Sequence, residues 1–150
     1  MIDIKQDEYL SKLNHSCAHM MAQAVKRLYP QAQFWVGPVI SDGFYYDIDL
    51  GDEVIRDEDL AKIEKEMKKI AKDGKRIIRE EISKADAMEM FKDDKYKIEL
   101  INDLEDGSIT SSYHICSSKL RMIMPLGSIN GIPGAYSLII KIPSSRPSFL

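Results

Sequence analysis

A chain of 150 residues that is 44% apolar and 30% charged, with a net charge of −3, suits one soluble domain with a real core and excludes a disordered tract. Its acidic balance excludes a generally basic nucleic-acid coat, and no apolar run approaches the ~18 residues that a membrane span needs. The two cysteines, Cys17 and Cys116, make no disulfide framework, and the first eight residues lack the basic-then-apolar order of a secretory signal, so a reducing cytoplasm is expected.

Helical periodicity predicts a first helix from Asp7 to Leu28, with Leu10, Leu13, Cys17, Met20, Met21, Ala24, Val25 and Leu28 on one broad stripe. Tyr29-Pro30 ends it, because the residue before proline is pushed out of the helical region. Gln33-Phe34-Trp35-Val36 reads as a strand and Gly37-Pro38 as a break. Val39-Ile40 and Phe44 to Ile48 read as two strands around Ser41-Asp42-Gly43, since Asp-Gly between apolar runs is a hairpin signal. A second helix is expected after an Asp57 N-cap, with Leu60, Ile63, Met67 and Ile70 at steps of three and four, closed by Asp73-Gly74. Arg76 to Ile82 reads as a strand. Ser83 then caps a short helix with Ala85, Met88 and Phe91 on one side, and Tyr96 to Leu104 forms another amphipathic piece. Helices and strands interleave without a strict βαβ rhythm, so the expected class is α+β, helices packed on a mostly antiparallel sheet.

Charge is placed unevenly. Residues 1–106 hold all 24 acidic residues and 17 of the 21 basic ones, a net of −7. Residues 107–150 hold no acid, and their basic residues are Lys119, Arg121, Lys141 and Arg146. Composition therefore breaks near Gly107. The lysines from Lys62 to Lys75 alternate with Glu64, Glu66 and Asp73, which reads as a solvated helix face before it reads as a track for phosphates.

The informative motif is His15-Ser16-Cys17-Ala18-His19. Two histidines four apart on a helix project about 40° from one another, one turn up, so both rings can converge on one atom, a metal ion or a water. The pair projects away from the main apolar stripe. It is either a site or two solvent-exposed rings on a polar face beside Lys12 and Lys26. Cys17 projects into the stripe and reads as a small buried hydrophobe. Tyr45 and Tyr46, adjacent on a strand, face opposite sides; one belongs to the core and the other is free to offer its hydroxyl to a pocket. There is no glycine-rich phosphate loop and no nucleophile elbow.

Leu13-Asn14-His15-Ser16-Cys17-Ala18-His19-Met20-Met21-Ala22-Gln23-Ala24-Val25, followed by Val36-Gly37-Pro38-Val39-Ile40-Ser41-Asp42-Gly43-Phe44-Tyr45-Tyr46-Asp47, resembles the amino-terminal editing domain of the threonyl-tRNA synthetases. The likeness covers roughly residues 8–110, without the ubiquitin-like leader of many members. It implies a threonyl/alanyl-tRNA synthetase editing-domain-like fold. It also implies an activity, the hydrolysis of seryl-tRNA made in error by an enzyme that attaches threonine to tRNA with ATP. Threonine exceeds serine by one methyl, from which a binding site gains only ~10–200-fold discrimination, so a second, hydrolytic site is needed. By likeness, His15 and His19 position the water and the terminal ribose, Lys97 offers a cation near the water or ester, and Tyr46 lines the amino-acid pocket. No metal is implied at this site. ATP and zinc are expected only for the aminoacylation domain, tRNA is the expected partner, and family members are homodimers through parts absent here.

The family's later Asp-x-Cys-Arg-Gly-Pro-His block is absent. Leu120 stands four residues after Cys116 where the block has histidine, and His114 comes in the wrong order, so neither Cys116 nor His114 inherits a role. The expected organisation is an incomplete editing domain over residues 1–110 and a divergent tail over 111–150, read as a shifted frame or a truncated gene end. The expected function is that of a threonine–tRNA ligase fragment that edits seryl-tRNA. The rival readings are a non-catalytic tRNA-binding or docking module and an inactive gene remnant.

Overall fold

Asp7 starts the first helix, α1 (Glu8–Leu28): its carboxylate accepts from the Leu10 N–H at 2.9 Å, satisfying one of the free donors of the first turn. The helix stops at Tyr29, ahead of Pro30, as its sequence requires. This computed structural model describes residues 6–35, 39–115, 121–123 and 136–140. Val36 with the expected Gly37-Pro38 break, and Cys116, Lys119, Leu120, Lys141 and Arg146, lie outside the described residues.

After α1 come β1 (Gln33–Phe34), β2 (Val39–Ile40) and β3 (Gly43–Asp49), then α2 (Asp57–Lys72), β4 (Ile77–Ser83), α3 (Lys84–Met90), α4 (Lys95–Asn102), β5 (Ile109–Ile115), β6 (Arg121–Ile123) and β7 (Tyr136–Ile140). β3 is the centre of the first sheet. On one edge β1 pairs with its end (Phe34 opposite Ile48) and β2 with its start (Val39 opposite Phe44); β7 runs along the other edge from Phe44 to Ile48. The second sheet has the order β4-β5-β6. Every described pairing is antiparallel, so the class is α+β, four helices on two small sheets. β5 pairs with β4 over seven positions, from Ser83 opposite Ile109 to Ile77 opposite Ile115, and runs without interruption through the change in composition.

Alternation along β3 turns Phe44, Tyr46 and Ile48 to one face, where they pack with Met21, Ala22 and Val25 of α1 and with Ile63 and Ile70 of α2. Each large apolar side chain among them contributes about 1.5–3 kcal/mol by leaving water. A smaller cluster, Ala87, Phe91 and Ile101 with Ile82, Met88 and Ile98, packs α3 and α4 together beside β4. A third joins Trp35 and Leu100, with Tyr96 against them.

Two local expectations are corrected. The N-cap of α2 is Arg56, not Asp57: the Asp59 carboxylate, three residues into the helix, accepts from the Arg56 N–H at 3.1 Å and so closes the turn from inside. In α3, which Ser83 does cap, the small residue buried beside Phe91 is Ala87, while Ala85 is exposed. Phe91 and Ile101 set the helix's rotation, and Ala87 is the alanine one turn before Phe91. The end of α2 follows its sequence, with Gly74 in the left-handed region at φ +60° just beyond Asp73. Among the described residues, no helix is long and apolar enough to cross a membrane.

Candidate functional site

α1 brings His15 and His19 together as their spacing predicts: the two Nε2 atoms lie 2.8 Å apart and the ring centroids 4.5 Å apart. The solvent-exposed alternative does not hold. His19 is only 2% exposed and His15 is half-buried. α1 packs against both α2 and β3, so more of its circumference is covered than a single apolar stripe accounts for. Asn14, His19 and Gln23 are buried along with its alanines.

Burial sets the protonation of the pair. Desolvation pushes His15 below the usual imidazole range. It pushes His19 down to about 3, helped by repulsion from His15 and then from the Lys97 ammonium. Both rings are therefore neutral at pH 7. A contact between two neutral imidazoles through Nε2 needs opposite tautomers: one ring donates its Nε2–H, and the other accepts with its own proton on Nδ1. The pair thus offers one donor and one lone pair, which is what orienting a polar ligand requires. Among the described residues no group of three or more His, Cys, Asp or Glu side chains is arranged to hold a metal ion. Cys17 packs against the main core, and burial raises its thiol pKa, as for an inert structural cysteine.

Lys97 enters from the first turn of α4. Its side chain is 1% exposed and its ammonium donates to the Trp35 carbonyl at 2.7 Å. Asp94, the N-cap of α4, accepts from the Lys97 backbone N–H at 3.1 Å. Burial lowers Lys97 to about 8, with the charge of Asp94 opposing the fall. An ammonium in that range exchanges its proton near neutral pH, unlike a surface lysine. Tyr46 lies on the core face of β3, edge-on to Phe34 at 5.6 Å, and its phenol is held far above the usual range by burial and then by Asp94. Lys97 thus lies within electrostatic reach of His19, and the charge of Asp94 is felt by both Lys97 and Tyr46.

Comparison with known proteins gives a direct result. The chain is 53% identical over 106 residues to a threonine--tRNA ligase of Streptococcus equi subsp. zooepidemicus, a match covering 71% of this chain and 16% of that protein. It is 50% identical over 107 residues to the ligase of Enterococcus faecalis (71% and 17%) and 54% identical over 114 residues to that of Anoxybacillus flavithermus (73% and 18%). The chain belongs to the threonine--tRNA ligase family. It spans about a sixth of the length of these curated relatives. No protein-family model matches it.

Two further residues of this chain stand at the site although their sequence context does not single them out. Tyr113 of β5 lies over both imidazoles, with centroids 5.1 Å from His15 and 5.2 Å from His19, stacked on the latter at 27°. Its pairings with β4 and β6 place it there, and no local pattern announces them. Asp94 is the second; an acid three residues before Lys97 is a cap signal, which could have found it. Beside them Trp35 and Tyr96 stack at 6.2 Å, and Tyr96 donates its hydroxyl to Asp49.

Proposed function

We propose that the site is the hydrolytic editing centre of a threonine–tRNA ligase, acting on the ester of serine attached in error to the tRNA for threonine. The observation that supports this best is the histidine pair itself: two neutral rings joined at 2.8 Å, enclosed by protein, with a buried ammonium in electrostatic reach. Ester hydrolysis needs a placed water, a group to take its proton, and a positive group where the oxyanion forms. A water or ribose hydroxyl entering the site replaces the contact between the rings, receiving a hydrogen bond from one and giving one to the other. The water attacks the ester carbon, and its proton passes to an imidazole lone pair. The bond to the ribose oxygen breaks, and that oxygen is reprotonated as it leaves. Lys97, protonated, stabilises the oxyanion, and Tyr46 bounds the pocket for the amino acid. The reaction is downhill in water and needs no ATP; ATP and zinc belong, on this reading, to the ligation chemistry of the longer protein.

On α2, Lys62, Lys68 and Lys69 are each paired with a carboxylate of the same helix at 2.6–2.9 Å, which favours a solvated face over a track for tRNA phosphates. The deciding experiment incubates the chain with seryl-tRNA and measures deacylation beside a His15→Ala, His19→Ala double variant. Loss of about 10²–10⁴-fold in rate is expected. Equal rates for the two proteins remove the hydrolytic reading.

A further inference from the structure

His15 and His19 share one helix and meet Nε2 to Nε2 at 2.8 Å, with their rings tilted by 32°. That contact needs one nitrogen with a hydrogen and one without. Alone it constrains the pair weakly. The torsion that turns an imidazole about its Cβ–Cγ bond has broad wells, and one hydrogen bond between neutral groups offsets little of the freedom that two rotors lose. A further contact has to hold both rings at the angle where they meet.

Tyr113 makes that contact. It is half-buried, and its ring centroid lies 5.1 Å from His15 and 5.2 Å from His19, tilted by 58° on the first and stacked at 27° on the second. Both distances fall in the range of favourable aromatic pairs. The Tyr113 backbone is paired on both sides, opposite Arg79 of β4 and Met122 of β6, so a sheet and not a loop presents the ring. Among the described residues Tyr113 belongs to none of the three apolar clusters that hold the fold together.

We propose that Tyr113 is the positioning residue of the histidine pair, its ring holding both imidazoles at the rotation where one Nε2 donates and the other accepts. The use of that arrangement in ester hydrolysis rests on the editing reading above; the holding of the rings does not. A water entering between the imidazoles then finds a donor and a lone pair already in place. Tyr113 therefore acts on the turnover of bound ester and not on its binding. Phenylalanine presents the same face to the imidazoles, whereas leucine fills similar space without stacking.

The first measurement is ¹³C relaxation at the imidazole carbons, with His15 and His19 assigned by signal loss in His15→Gln and His19→Gln. Both rings should be as ordered as rigid backbone in the unsubstituted chain and in Tyr113→Phe. In Tyr113→Leu their order parameters should fall by about a third. Tyr113→Met serves if the leucine variant does not fold. Unchanged order in a folded leucine or methionine variant overturns the proposal, and so does a phenylalanine variant as loose as the leucine one. The second measurement is seryl-tRNA deacylation: Tyr113→Leu should lose about two- to ten-fold in kcat at constant KM, and Tyr113→Phe should keep the unsubstituted rate. If the rings loosen while kcat stays, Tyr113 does not serve the reaction and the proposal falls. If none of the proteins deacylates, the editing reading falls and the holding of the rings stands on the relaxation data.

Discussion

α1 buries Asn14, His19 and Gln23 among its alanines, Met21 and Val25, whereas α2, packed against it, buries only Ile63 and Ile70 and pairs Lys62, Lys68 and Lys69 with acids at its surface. An ion pair, Arg27 to Glu66 at 2.9 Å, bridges the two helices. Their difference separates two uses of polarity. A buried polar group left without a partner costs about 1–3 kcal/mol, so the polar side chains inside α1 need hydrogen-bond partners that solvent would otherwise supply. Exposed ion pairs contribute about 0–1 kcal/mol, so those on α2 mark a solvated face. The Asn14 Oδ1 atom sharpens the contrast: it is buried and lacks a partner among the described residues, while the amide nitrogen of the same side chain donates to the Leu10 carbonyl at 2.9 Å.

The contrast can be broken by measurement. Met21→Ala, at the fully buried face of α1, should lower the unfolding free energy by about 2–5 kcal/mol in urea titration, because it leaves a cavity under β3. A loss below about 1 kcal/mol would mean that α1 is not the core helix. His19 gives the next effect. Its folded pKa lies near 3 and its unfolded pKa near the ordinary 6.5, so the unfolded chain takes up the proton first on acidification. Stability is full above about pH 6.5 and falls as pH drops toward 3, by up to about 1.4 kcal/mol per pH unit from this group. His19→Gln should flatten that stretch of the stability profile; the same slope in both proteins would show that His19 is not held neutral. Removing the α1 cap with Asp7→Ala should cost about 1 kcal/mol, read from the thermal midpoint. Lys68→Ala on α2 should change stability by less than about 0.5 kcal/mol, since its 2.6 Å pair with Glu64 is exposed on both sides.

Periodicity carried most of the helical reading. The limits of α1 and α2 follow from their apolar spacing, from Tyr29-Pro30 and from Asp73-Gly74, while the turn between β2 and β3 falls on Ser41-Asp42, with Gly43 already paired opposite Ile40. The convergence of His15 and His19 was legible for the same reason, since it depends only on helical geometry. Their enclosure was not. A helical wheel shows which side is apolar, but α1 is covered on several sides, and Tyr113, which stacks on His19, comes from a strand far along the chain. The setting of Lys97 was hidden likewise, because its hydrogen-bond partner, the Trp35 carbonyl, lies 62 positions away in sequence. Arg56 escaped notice as a cap because its side chain has no capping chemistry; the reaching group is Asp59.

The stacking of Tyr113 on the imidazoles also imposes an order of assembly on the site. The rings on α1 emerge early, but the strand that roofs them follows only after α4, and the far edge of β3 stays unpaired until β7 appears. The aromatic roof over the two rings exists only once β5 has docked beside β4.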